Sequence, residues 1–378
     1  MPLFLNEDQG ALLDMARPFM AEQAPVSHMR ALRDANDPAG FSRDLWRQFA
    51  DMGFIGVLAD EADGGLSLGH VEAGIILEEI GRNLSPSPFL STAVGAVTAL
   101  KNGSADQRAR FLPGIIAGES VAALAIDEGP KHRPDRIALR AERAGNGFAL
   151  SGRKSFVAHG HVADLLIVAA RTAGADGDAD GVTLFAVERG AAGLDAQAER
   201  LADAGVAAHL SFDKVHVDAD AVIGEVDGGR AALTHVLNAV RAGASAEMLG
   251  VGCAAMDMTV GYLKERKQFG VAIGTFQALQ HRAAHLYAEL EVARAATLKA
   301  QQLLDAGDMG AERAVMVAKA MTGLAGALSV QEGVQMHGGI GMTDEYDIGF
   351  YMKRAQVLSE SFGDADYHAD ALARMEGY

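Results

Sequence analysis

The residue with the clearest chemical potential is Glu247, in the run RAGASAEMLGVGCAAMD at 241–257. Every residue from Ala242 to Met256 is small or apolar except this glutamate. Such a composition is that of a buried helix. Burying an ionised carboxylate without a partner costs several kcal/mol or obliges it to keep its proton. Glu247 therefore reads either as a general base in a desolvated site or as half of a buried ion pair with an arginine such as Arg241 or Arg282.

Three other stretches carry side chains suited to gripping a large anionic, flat ligand. In ERKQFGVAIGTFQALQ a long helix ends near Lys267, Gly270 and Gly274 turn the chain, and Thr275 is placed to cap the next helix. A helix C-terminus repels anions, so Arg266 there would supply a fixed positive fork for a pyrophosphate; the alternative is a solvated arginine. In QMHGGIGMTDEYD, Gly338, Gly339 and Gly341 allow close backbone approach after a helix, or form a plain C-terminal turn. In GRKSFVAHGHVADLLIVAART, Phe156 could stack on a flat ring or sit in a β core.

Other patterns lead nowhere. Asp176, Asp178 and Asp180 have calcium-loop spacing, but the twelfth position is Val187 and the flanks read as strands. GVGCAA at 250–255 mimics a dinucleotide fingerprint but follows a helix, so its glycines read as close helix packing. His281 and His285 lack a third ligand, and His159 and His161 read as turn residues, so no metal site is expected.

The elements that must position these residues follow from periodicity. Helical spacing dominates 1–120, strand-like runs such as VAALAI, DLLIVAAR, VTLFAVE and HLSFDKVHV fill 121–224, and long helical patterns return over 225–378. The expectation is a helical N-terminal domain, a central β domain and a C-terminal helical domain. The uncharged run from Asn83 to Leu100 contains Pro86 and Pro88 and reads as a loop plus a short helix, so no membrane span is expected. A net charge of −17 without a basic stripe argues against nucleic acid. One cysteine, Cys253, and a start without a leader pattern suggest a cytoplasmic protein.

In this order and spacing, the stretches resemble the acyl-CoA dehydrogenase family across essentially the whole chain. The resemblance runs from FADMGFIGVLADEADGGLSLGHVEAGIILEEIGR through SGRKSFVAHGHVAD and LSFDKVHVDADAVIGE to RKQFG and QMHGGIGMT. It implies an α+β fold with a helical N-terminal domain, a central β-barrel-like domain and a C-terminal four-helix bundle, FAD between the last two, and a homotetramer or related assembly. Arg266, Phe269 and Gln277 match contacts to the FAD of a neighbouring subunit. Gln335, Gly338 and Gly339 match its adenosine end, and Phe156 the aromatic beside the flavin ring. The implied reaction is α,β-dehydrogenation of an acyl-CoA thioester: a carboxylate takes the α-proton, the β-hydride goes to flavin N5, and electrons pass to an electron-transfer flavoprotein.

The chain departs from the family pattern where the base should be. The usual segment is SFGD here, with Phe362 in place of the glutamate, and the second known placement, before Arg241, is Val240. Glu247 lies seven residues beyond Val240, about 10.5 Å of rise with only ~20° of rotation, so it shares that helix face. Glu247 is the leading base, with Asp364 and Glu360 in the polar, exposed-looking SESFGD as runners-up. The backbone N–H of Phe362, with Arg241 on the same side, would still polarise the thioester carbonyl. The hydroxyl-bearing flavin segment of relatives is AIDEGPKHRPD here, and an expected threonine is Ala158. Members with eroded motifs work as halves of heteromeric pairs, so a paralogous partner subunit is an alternative to the homotetramer. A non-catalytic or half-site subunit and a flavin oxidase or monooxygenase are the competing functions. The displaced base hints at branched, cyclic or steroid-like acyl chains, in fatty-acid or sterol side-chain catabolism.

Overall fold

Apolar residues at helical spacing form α1 (Glu7–Gln23), α2 (Val26–Asp34), α3 (Arg43–Asp51), α4 (His70–Asn83), α5 (Val97–Lys101) and α6 (Ala105–Ile116) in a computed structural model that describes residues 3–178 and 180–378. Reciprocal capping boxes, Asn6 with Gln9 and Ser104 with Gln107, start α1 and α6 by satisfying otherwise orphaned amides. The uncharged run after Asn83 forms a loop, a wide π-helical turn at Leu90–Ala96 and then α5. Its residues from Val94 to Leu100 are buried, so their apolar character is spent on the core.

The middle of the chain forms β1 (Ala122–Ala125), β2 (Arg140–Ala144), β3 (Gly147–Ala158), β4 (Leu165–Arg171), β5 (Val182–Glu188), β6 (Leu194–Arg200), β7 (Val206–Val217) and β8 (Val222–Ile223). They make one sheet in the order β6-β7-β3-β2-β4-β5-β8, with β1 parallel to β4. Phe148 and Phe185 meet edge-on at 5.2 Å in its core, among Val157, Leu166 and Leu210. The strands β2 and β6 carry the polar runs RAERA and LDAQAER, and β6 is an edge strand exposed from Asp195 onward.

The rest is α7 (Gly229–Glu265), a two-stranded hairpin of β9 (Lys267–Gln268) and β10 (Val271–Ala272), α8 (Gln277–Asp305), α9 (Ala311–His337), α10 (Ile348–Glu360) and α11 (Ala365–Met375). The chain divides into two compact units. One comprises the chain up to Ala31, His70–Ser85 and Arg241–Tyr378; the other comprises Leu32–Gly69 and Pro86–Val240. In the first, Met248, Val251 and Ala255 of α7 pack with Val330 of α9 and with Ile348, Tyr351, Ala355 and Leu358 of α10. Helices α4 and α7 touch backbone to backbone: a Cβ on Gly250 would stand 2.0 Å from the Glu78 carbonyl oxygen, and one on Gly81 would stand 2.1 Å from that of Glu247. Gly250 of GVGCAA thus serves helix packing. Ala311–Met342 is long and apolar enough to cross a membrane by length and composition, but 56% of its most apolar window is buried against the protein. That burial accounts for its apolar residues.

Candidate functional site

Glu247 is 3% exposed, and its buried charge has a partner. Arg354, on α10, donates from Nε at 2.9 Å and from Nη2 at 2.5 Å, both to Oε1. The partner is thus neither Arg241 nor Arg282, the two arginines favoured by the sequence. Arg282 pairs with Glu332 instead. Both bonds fall on one carboxylate oxygen, which leaves Oε2 outside the pair. A guanidinium can anchor a carboxylate and supply its counter-charge while the second oxygen keeps its lone pairs.

Six residues earlier on α7, a rise of about 9 Å, Arg241 reaches the link between α10 and α11. Its Nε donates to the Phe362 carbonyl at 3.1 Å and its Nη2 to the Tyr367 hydroxyl at 3.3 Å. His368 Nε2 lies 3.2 Å from the same carbonyl. From α9, Lys319 donates through Nζ to the carbonyls of Leu358, Ser359 and Gly363 at 3.0, 3.2 and 2.9 Å. Phe362 sits at φ +58° and Gly363 at +101°. A phenylalanine in left-handed backbone costs about 1 kcal/mol or more and persists where its surroundings fix it. Burial, helped by the nearby Arg241 guanidinium, pulls the Lys319 ammonium down to about 7 against the opposing pull of Asp364 and Glu360.

The two runner-up carboxylates are otherwise occupied. Asp364 is the N-cap of α11, accepting from the Tyr367 amide at 2.7 Å. Glu360 is exposed and accepts from Gln356 at 3.3 Å. The SESFGD link is not the exposed connection its composition suggests: Gly363 is buried and Phe362 half-buried, because two buried cations draw the link's carbonyls inward.

Arg266, Phe269 and Gln277 are all exposed around the β9–β10 hairpin. Phe269 at φ +54° and Gly270 at +80° form its two-residue turn, the geometry that fits the strand twist. The turn pushes the Phe269 ring outward, 90% exposed and edge-on to Phe276 at 6.1 Å. Thr275 does not cap α8; its hydroxyl donates to the Ala272 carbonyl at 2.7 Å, and Phe276 holds the cap position. At the end of α9, Gly338 turns at φ +64°, and nothing lies within 4 Å of a Cβ built on Gly338 or Gly339. Gln335 is exposed beside them, while His337 is buried between Tyr262 and Tyr346, with ring centroids at 4.5 and 4.7 Å. His281 and His285 are exposed on α8.

In the other unit, Phe156 lies at a bulge of β3 with φ +54°, 45% exposed and 4.9 Å edge-on from His209. The AIDEGPKHRPD segment is a closed polar network. Asp127 accepts from His132 and the Arg133 amide, and Glu128 accepts from the amides of Ala138 and Leu139 and from Lys154 Nζ at 2.7 Å. The residues present fit FAD on two counts: an exposed arginine beside an outward-turned phenylalanine ring, and an open diglycine cradle at a helix end. The hydroxyl donors of relatives are replaced by internally satisfied carboxylates.

Two residues central to this geometry, Lys319 and Arg354, escape the sequence reading. For Lys319 the signal existed: MVAKAMTGLAGAL is a second apolar helical run broken by one charge. Arg354 lies in the mixed helix DIGFYMKRAQVL and carries no such mark.

Residues 6–119, 132–215 and 227–376 match the N-terminal, middle and C-terminal domains of acyl-CoA dehydrogenases. The chain is 31% identical to the cyclohex-1-ene-1-carbonyl-CoA dehydrogenase of Geobacter metallireducens, with 93% of each chain covered. A variant of the Tcur3481-Tcur3483 steroid ACAD superposes with a TM-score of 0.89 at 31% identity over 98% of each chain. The ChsE4-ChsE5 complex from Mycobacterium tuberculosis superposes with a TM-score of 0.90 at 26% identity over 100% of each chain.

Proposed function

Because the chain belongs to the acyl-CoA dehydrogenase family, we propose that it desaturates an acyl-CoA thioester between Cα and Cβ with Glu247 as the proton acceptor. The observation that carries this reading is the way Glu247 is held: buried, clamped through Oε1 by Arg354, with Oε2 outside the pair. A base for an α-proton must be desolvated, oriented and not spent on other bonds. Asp364 and Glu360 fail one or another of these conditions. The chemistry supplied by bound FAD is acceptance of the β-hydride. The chain's own part is to remove the α-proton through Glu247 Oε2 and to polarise the thioester carbonyl through the Phe362 amide, which the carbonyl clamp of Arg241 and Lys319 orients. Arg266, Phe269, Gln277, Gln335, Gly338, Gly339 and Phe156 would hold the cofactor, with an electron-transfer flavoprotein as the onward acceptor.

A bulky alicyclic or steroid-like acyl group suits the displaced base, and the cyclohexene-carbonyl and steroid relatives support that class. We place the enzyme in the cytoplasm, as a tetramer of identical or paralogous subunits. A second reading, a half-site subunit whose partner carries the base, is favoured by the same Arg354 contact, because an ion pair alone explains a buried glutamate. The test is a Glu247→Gln protein that folds and stays yellow, mixed anaerobically with alicyclic and steroid acyl-CoA thioesters. Loss of flavin bleaching by about 10²–10⁴-fold supports Glu247 as base. Bleaching at the wild-type rate assigns the base elsewhere.

A further inference from the structure

Lys319 is 2% exposed in the small-residue helix α9, where an apolar side chain of similar length would fill the same space without the cost of desolvating an ammonium. Two of its three acceptors, Leu358 and Ser359, are last-turn carbonyls of α10, which any helix end leaves unpaired. The third, Gly363, lies beyond the helix in the left-handed turn. Arg241 holds the carbonyl immediately before it, Phe362. Two buried cations from two different helices thus fix two consecutive carbonyls. The Phe362 N–H belongs to the Ser361–Phe362 peptide, which is bracketed by the Ser359 carbonyl held by Lys319 on one side and the Phe362 carbonyl held by Arg241 on the other, so the two anchors restrict how far that planar group can rotate.

We propose that Lys319 is a positioning residue that keeps the Phe362 N–H aimed at the acyl thioester carbonyl, with Arg241 completing the clamp. The proposal rests on the reading above that this N–H polarises the substrate. It adds a buried lysine to the groups on which the rate depends. The role is one of orientation: without the ammonium, the turn keeps its sequence but loses the donor that pulls Gly363 inward.

The experiment compares holoenzyme and Lys319→Met by infrared difference spectroscopy of a bound enoyl-CoA isotope-labelled at the thioester carbonyl. The wild type is expected to lower the carbonyl stretch on binding, and Lys319→Met to lose at least half of that shift while its dissociation constant changes less than about threefold. In turnover, kcat should fall about 10–100-fold with a much smaller change in KM, as for an interaction made mainly in the transition state. Lys319→Gln, which keeps two donors, should lie between the two. An unshifted carbonyl in the wild type would overturn the polarisation reading itself. A full shift in Lys319→Met would overturn the role of Lys319 alone. Failure of both variants to fold with FAD would make Lys319 a stability element and also overturn the proposal.

Discussion

Replacing Arg354 by methionine strands the Glu247 carboxylate in a site where it is 3% exposed. The wild-type pair has two charge-assisted bonds at 2.9 and 2.5 Å, and removing one partner of a buried pair costs about 3–5 kcal/mol. Because 30% of the Arg354 side chain remains exposed, water reaches one side of the pair, and the expected cost falls to about 2–3 kcal/mol. Glu247→Met should cost less, about 1 kcal/mol, since it leaves behind an arginine that can hydrate. The double variant Glu247→Met with Arg354→Met, which removes both charges, should recover to within about 1 kcal/mol of wild type. Urea unfolding followed by far-UV circular dichroism of the helices measures all four proteins. An Arg354→Met cost below about 0.5 kcal/mol, or a double variant as unstable as the two singles summed, would refute the reasoning that Arg354 is what makes this buried charge tolerable.

Gly250→Ala drives a Cβ to 2.0 Å from the Glu78 carbonyl and should destabilise by about 1–3 kcal/mol or more, whereas Gly261→Ala on the same helix meets nothing within 4 Å and should gain up to about 1 kcal/mol; thermal midpoints compare them. Asp364→Ala loses the N-cap bond of α11 and should cost about 1 kcal/mol while anaerobic bleaching stays within about threefold of wild type. Lys319 titrates at about 7 in the folded protein and near ~10.4 unfolded, so between these values the unfolded chain holds more protons and stability rises with pH, by up to ~1.4 kcal/mol per unit. That contribution is lost as pH falls through about 7. The stability of wild type relative to Lys319→Met should therefore grow from about pH 7 to about pH 9, as denaturant midpoints would show.

Much of the architecture is legible in the chain because burial enforces periodicity. The runs LLIVAAR and VTLFAVE are buried strands, and the long helical patterns are α7 to α9. The strands β2 and β6 are not legible, since RAERA and LDAQAER take their extended form from hydrogen bonds to β3 and β7 rather than from an apolar face. At the site, the anomaly at Glu247 is visible in sequence because one charge interrupts fourteen small or apolar residues. Its partner is not: Arg354 is 107 residues away, and only the packing of α10 on α7 brings it close. The same asymmetry holds for Lys319, whose acceptors are backbone carbonyls that no side-chain motif announces.

Removal of the α-proton by Glu247 can be observed without any turnover of the flavin. The enzyme is incubated in deuterated buffer with a thioester whose Cβ cannot yield hydride, and deuterium entering Cα is followed by nuclear magnetic resonance. The wild type and Asp364→Ala should exchange at similar rates, and Glu247→Gln should be slower by at least about 100-fold. Exchange by folded, FAD-loaded Glu247→Gln at the wild-type rate would contradict the assignment.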